Sequence, residues 1–255
     1  LTNTFSVPAV AQAQLKQAID LHPEIGRSWP TVNPLVFECN DGYLNDIQTF
    51  AVQAAHYARA HDTAAREFEQ GSIGAGRGMS CFELEGGIGS ASRLVVIGER
   101  SYSVGALVLA NFGKREQLTL NGQRIDSAPL INDQEPERGS IIMILATDAP
   151  LDARQLRRLA ARSTVGLART GSNLGHGSGD IALAFSTAYT HPHERSIQMP
   201  TISMLHEQNM DGLFQAAAES IEQAIVSALC YATTVTGRVG HVRQALLDAY
   251  PGLRK

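Results

Sequence analysis

Residues 171–187 read GSNLGHGSGDIALAFST, a glycine-rich turn that runs straight into an apolar segment. The turn G-H-G-S-G-D (175–180) is flexible and tolerates solvent, whereas I-A-L-A-F (181–185) has the length and composition of a buried strand. A small hydroxyl residue, Ser178, stands on the junction between Gly177 and Gly179. Two readings compete. One is a plain loop entering a core strand; the other is a nucleophile mounted on the end of a rigid element.

Upstream of this stretch, LDARQLRRLAARSTVGLART (151–170) reads as one amphipathic helix, with Leu156, Leu159, Ala160 and Val165 inward and the arginines outward. SIIMILATDAP (140–150) is a buried-strand run. SRLVVIGER and SYSVGALVLANFG, joined at 98–101, carry a hairpin signal, and LTLNGQRI adds a short strand with a turn at Asn121-Gly122. A polar loop rich in Asn, Asp, Gln and Pro follows. Residues 71–89 are glycine-rich, with a short strand MSCFELE inside.

Nearer the start, 9–21 reads as a helix stopping at His22-Pro23, 34–39 as a strand, and 45–61 as a helix with Asn45 or Asp46 near its N-cap. Downstream, 212–235 is a long helix of Ala, Leu and Ile, and VRQALLDAY closes the chain. Hairpins between helices argue for mostly antiparallel pairing. The expected fold class is α/β (α+β), a sandwich in one domain over 1–255, and not a doubly wound parallel sheet.

The 255 residues are 44% hydrophobic and 18% charged, ordinary for a soluble globular protein with a sizeable core. A net charge of −4 offers no basic stripe for nucleic acid or an anionic membrane. No apolar run approaches the roughly 20 residues of a membrane helix. The cysteines, Cys39, Cys81 and Cys230, form an odd and sparse set that suits a reducing compartment, so a cytoplasmic location is expected. LTNTFSVPA is not a signal peptide. Leu1 is not an initiator methionine, so an upstream piece removed or lying outside this sequence is expected.

Two apparent motifs point elsewhere than they first suggest. GSIGAGRG (71–78) looks like a phosphate cradle, but no helix opens after it and no Lys-Ser/Thr follows, so close backbone approach explains its glycines better. His191-Pro192-His193, with His176 nearby, lacks an HExxH or paired CxxC partner, so these read as solvated loop histidines and no metal or other cofactor is expected. GxSxG is absent, so an α/β-hydrolase nucleophile elbow is unsupported.

GLARTGSNLGHGSGDIALAFSTA resembles the self-cleavage segment of the L-aminopeptidase D-Ala-esterase/amidase family, which includes the β-peptidyl aminopeptidases. LTNTFSV, ECNDGYLNDI (38–47), GSIGAGRGMSCFELEGGIGSASR (71–93), GALVLANFG (105–113), SIIMILATDAPL (140–151) and AAAESIEQAIVSAL resemble family blocks in the same order. The resemblance implies a four-layer α-β-β-α sandwich of the N-terminal-nucleophile kind. Family members carry more chain before the LTNT-like block, so some strands of that fold are expected outside this sequence.

It also implies a precursor that cuts itself between Gly177 and Ser178 into 1–177 and 178–255. Gly177 has no side chain to shield its carbonyl and Gly179 lets the backbone bend, so Ser178 Oγ can approach the carbonyl carbon. An N-to-O acyl shift makes an ester that water hydrolyses. The freed α-amine, with an unperturbed pKa near ~8, then serves as base to the serine hydroxyl. The expected activity is a serine aminopeptidase acting on small peptides, amides or esters, in an oligomer of cleaved protomers.

By resemblance, Ser220 and Glu222 form a Ser-x-Glu pair supporting the nucleophile, although residues two apart on a helix point about 200° apart. Glu69 is the candidate carboxylate for the substrate ammonium. Phe82 lies where a pocket aromatic, often a tyrosine, is expected, and it cannot donate a hydrogen bond. Asn111, or backbone amides near Asp148, are candidate oxyanion donors. An acyltransferase of the ornithine acetyltransferase type, whose nucleophile is a threonine, and an uncleaved non-enzymatic relative are the alternatives.

Overall fold

The computed structural model describes residues 1–125, 139–191, 198–199 and 201–254. The polar loop after Ile125, and Pro192 and His193 of the histidine run, lie outside the described residues. Two helices, α1 (Val7–Leu21) and α2 (Ala54–Asp62), precede the central sheet and pack on each other.

The sheet has four strands: β1 (Gly87–Ile97), β2 (Arg100–Asn111), β3 (Ser140–Thr147) and β4 (Gly179–Ser186), in the spatial order β4-β3-β2-β1. β1 and β2 are the expected hairpin, closing with Ile97 opposite Arg100. β2 and β3 are antiparallel, with Val104 opposite Thr147 and Asn111 opposite Ser140. β3 and β4 are parallel, with Ser140 opposite Gly179 and Thr147 opposite Ser186. A parallel pair needs a crossover, which residues 148–178 supply through α3 (Ala153–Ala160) and α4 (Ser163–Arg169).

Strand alternation sorts the core. Val104, Ala106, Val108 and Ala110 of β2 and Ile141, Met143 and Leu145 of β3 share one face, buried with α5 (Asp211–Cys230). Gly89 brings helix and sheet this close: a Cβ there would lie 1.9 Å from the Ala224 carbonyl oxygen. Cys39 and Met79 cover Leu109 and Ile142 at one end of the opposite face. Elsewhere that face is open among the described residues, and Leu94 is 75% exposed.

Several expectations change. The 34–39 strand shrinks to Glu38–Cys39, paired in parallel with Thr2–Asn3. The 45–61 helix breaks into a 3-10 turn, Ile47–Thr49, capped by Asp46, and then α2; Phe50 between them adopts φ +49° and stacks on Phe5 at 5.8 Å. The 151–170 helix divides into α3 and α4, so that Gly166 and Leu167 turn inward and Val165 is left 42% exposed. The 212–235 helix ends at Cys230. The IALAF run is a strand but is not buried: β4 is a sheet edge, and Ile181 and Phe185 lie on the open face.

Candidate active site

Ser178 stands immediately before β4, whose pairing with β3 starts at Gly179. Its amide donates to Gly175 O at 2.9 Å, and the Gly179 amide donates to Gly139 O at 3.0 Å. The segment before it is tied down where Thr119 N donates to Thr170 O at 2.9 Å. Ser178 is half-buried and lines a cleft of about 340 Å³, together with Gly113, Lys114, Gln117, Asn173 and His176. Its hydroxyl donates to Asp180 Oδ1 at 2.5 Å. The site thus combines a hydroxyl, a carboxylate in direct contact with it and a cationic ammonium on the wall. Larger cavities, of about 390, 510 and 800 Å³, lie among other residues.

Asn111 is brought to the same end of the sheet. It faces Ser140, which faces Gly179, so two strand spacings, on the order of 10 Å, separate its Cα from that of Gly179. Its side-chain amide is already committed: Oδ1 accepts from Ser80 N at 2.8 Å and Nδ2 donates to Asn40 O at 3.1 Å. Asn111 pins the glycine-rich block to the end of β2.

The Ser220–Glu222 pair is not at this site. Ser220 is fully buried and donates to Val104 O at 3.4 Å. Val104 belongs to the Val104–Thr147–Ser186 row, seven residues along each strand from Asn111–Ser140–Gly179. At about 3.3 Å per residue this is a displacement of roughly 23 Å. Glu222 points elsewhere on α5 and pairs with Arg169 at 3.2 Å, as helical geometry requires of residues two apart. The backbone near Asp148 follows Thr147 and so belongs to that same remote end.

Glu69 and Phe82 also change place. Glu69 is exposed beside Phe68 and Tyr231 in the 510 Å³ cavity. Its neighbour Gln70 accepts from Ser90 N of β1, so Glu69 lies past the sheet edge opposite to β4. Three strand spacings, roughly 14 Å, separate those edges. Phe82 is a core residue, 0% exposed, edge-on to Phe112 at 5.0 Å. A Cβ at Gly113 would lie 2.5 Å from the Phe82 ring, so Phe82 backs the cleft wall without reaching its space.

Two side chains escape a reading of the motifs: Asp180, which holds the Ser178 hydroxyl, and Lys114, which lines the cleft. Asp180 had a visible signal, a carboxylate two residues beyond the serine. Lys114 had none, since only folding brings residues after β2 against the 172–178 turn. Among the described residues, no three His, Cys, Asp or Glu side chains gather where a metal could sit. His191 packs edge-on to Tyr189 at 5.5 Å. The glycine-rich block meets β1 through Gly71 and Ile88, which exchange hydrogen bonds of 2.7 and 3.0 Å.

The mixed helix–strand fold presents a half-buried, cleft-lining serine at the start of strand β4. The chain belongs to peptidase family S58, whose model matches residues 1–243. It is 37% identical over 268 residues to the β-peptidyl aminopeptidase BapA of Sphingosinicella microcystinivorans, covering 98% of this chain and 66% of that protein. It therefore spans just under two thirds of that relative's length. The PH0078 protein of Pyrococcus horikoshii OT3 superposes with a TM-score of 0.88 at 45% identity, covering 99% of this chain and 70% of the other. The L-aminopeptidase D-Ala-esterase/amidase of Ochrobactrum anthropi, described as a prototype serine aminopeptidase and a variant of the Ntn hydrolase fold, gives 0.84 at 33%, covering 98% and 72%.

Proposed function

We propose that this chain is a self-processing serine aminopeptidase, cut between Gly177 and Ser178 into 1–177 and 178–255 within one folded unit. The observation that carries the reading is the placement of Ser178: a half-buried hydroxyl lining a cleft, at the entry to a strand held in register along its length. Cleavage there converts an amide nitrogen into a terminal amine with an unperturbed pKa near ~8. That amine takes the hydroxyl proton as Oγ attacks a substrate carbonyl, giving an acyl-enzyme that water resolves. The reading does not need Ser220 or Glu222, and it calls for no cofactor.

The relatives' names, β-peptidyl aminopeptidase and L-aminopeptidase D-Ala-esterase/amidase, support small peptides, amides or esters as substrates. The four-layer α-β-β-α arrangement belongs to the same reading. The open apolar face carrying Leu94, Val96, Ile181 and Phe185 is the surface on which a second sheet would pack.

A denaturing gel with intact-mass analysis tests the proposal. Two pieces divided at Gly177–Ser178 are expected from the wild type, and a single inactive chain from Ser178→Ala. A wild-type chain that stays whole and still hydrolyses aminoacyl anilides overturns it.

A further inference from the structure

Before cleavage the nitrogen of Ser178 is an amide that donates to Gly175 O at 2.9 Å. Its lone pair is delocalised into the carbonyl, so it cannot accept a proton near neutral pH. The terminal amine that would act as base in the processed enzyme does not yet exist. The first scission therefore needs a different proton acceptor, already in contact with Oγ.

The geometry points to Asp180 as that acceptor, and we propose that it is the catalytic base of self-cleavage. This rests on the reading of Gly177–Ser178 as the scissile bond. Asp180 Oδ1 lies 2.5 Å from Ser178 Oγ, within the range of a charge-assisted O–H···O⁻ contact. The carboxylate is held on a rigid element, because Asp180 lies opposite Ile141 in the β3–β4 ladder. Residues two apart in extended chain project to the same side, so no distortion is needed to bring the two groups together.

The step balances as follows. Asp180 takes the Oγ proton while Oγ bonds to the Gly177 carbonyl carbon. The C–N bond of the resulting tetrahedral species then breaks, and Asp180 returns the proton to the Ser178 nitrogen. The product is a Gly177 ester on Oγ and a free amine. One water adds to the ester carbonyl and expels the Ser178 hydroxyl, leaving a Gly177 carboxylate and a terminal ammonium. Lys114 and His176 are the titratable groups lining the cleft beside Ser178, and the Cys39 thiol lies within reach of the Asp180 charge.

The test follows cleavage of the full-length chain by intact mass over time and across pH. Asp180→Asn, which keeps the side-chain shape, should slow cleavage by about 10²–10⁴-fold and flatten the acid side of its pH–rate profile. Asp180→Ala should be comparably slow and should recover when formate is added as a diffusible carboxylate, a rescue that a merely structural role would not give. Thermal melts report whether each variant is folded. If the wild type is cut and Asp180→Asn is cut equally fast with the same pH profile, the base assignment alone fails. Slow variants that melt like the wild type and ignore formate also overturn it. A wild type that is never cut removes this assignment together with the reading on which it rests.

Discussion

The hydroxyl of Ser220 donates to the carbonyl of Val104, at the end of the sheet remote from Ser178. In that position its hydrogen bond joins α5 to the sheet. Ser220→Ala should leave kcat/KM and the extent of cleavage within about threefold of the wild type. The lost hydrogen bond should lower stability by about 1 kcal/mol. Denaturant titration alongside steady-state kinetics checks both. A fall in kcat/KM of about a hundredfold would place Ser220 back at the site.

Phe82 separates packing from recognition in the same way. Its ring is fully buried against Phe112 and behind Gly113. Phe82→Ala should cost about 3–5 kcal/mol of stability. Phe82→Leu should cost less and leave KM nearly unchanged. A large KM change in a well-folded Leu variant would put the ring in contact with substrate.

Glu85 gives the fold a pH dependence. Its carboxyl is buried, and burial pushes its pKa up to about 8, opposed in part by the Gly78 amide and the Arg77 and Arg243 charges. The folded chain keeps a proton that the unfolded chain releases from about pH 4.5 upward, so rising pH favours unfolding up to about pH 8. Stability should decline across that window. Glu85→Gln should remove the decline, and its advantage should be on the order of a few kcal/mol above the upper limit. Urea midpoints measured at both ends of the window decide it; equal pH slopes for the two proteins would contradict the assignment.

Gly89 sets the distance between β1 and α5. A methyl group there would press into the Ala224 carbonyl, backbone that cannot rotate away. Gly89→Ala should cost about 3 kcal/mol, seen as a lower thermal midpoint, and Gly105→Ala should be milder, because its Cβ would meet only the Ala146 oxygen at 3.9 Å. Equal losses at the two positions would count against the close approach.

The hairpin, the buried β3 run, the long α5 helix and the serine at a turn-to-strand junction could be read directly from residue order, because each depends on local periodicity or on one short motif. The family resemblance rested on contiguous blocks and could be read for the same reason. Neighbours in space could not. Ser220 and Glu222 match a motif by spacing, yet sheet register sets Val104, the partner of Ser220, opposite Thr147 at one end of the β2–β3 ladder and Asn111 opposite Ser140 at the other. Register also leaves β4 on an edge, so an apolar run that reads as core remains half open. Lys114 and Ser178 meet in one cleft only after β2, β3 and β4 align. Linear spacing encodes which face of an element a side chain takes; pairing between distant strands decides which end of the molecule it reaches.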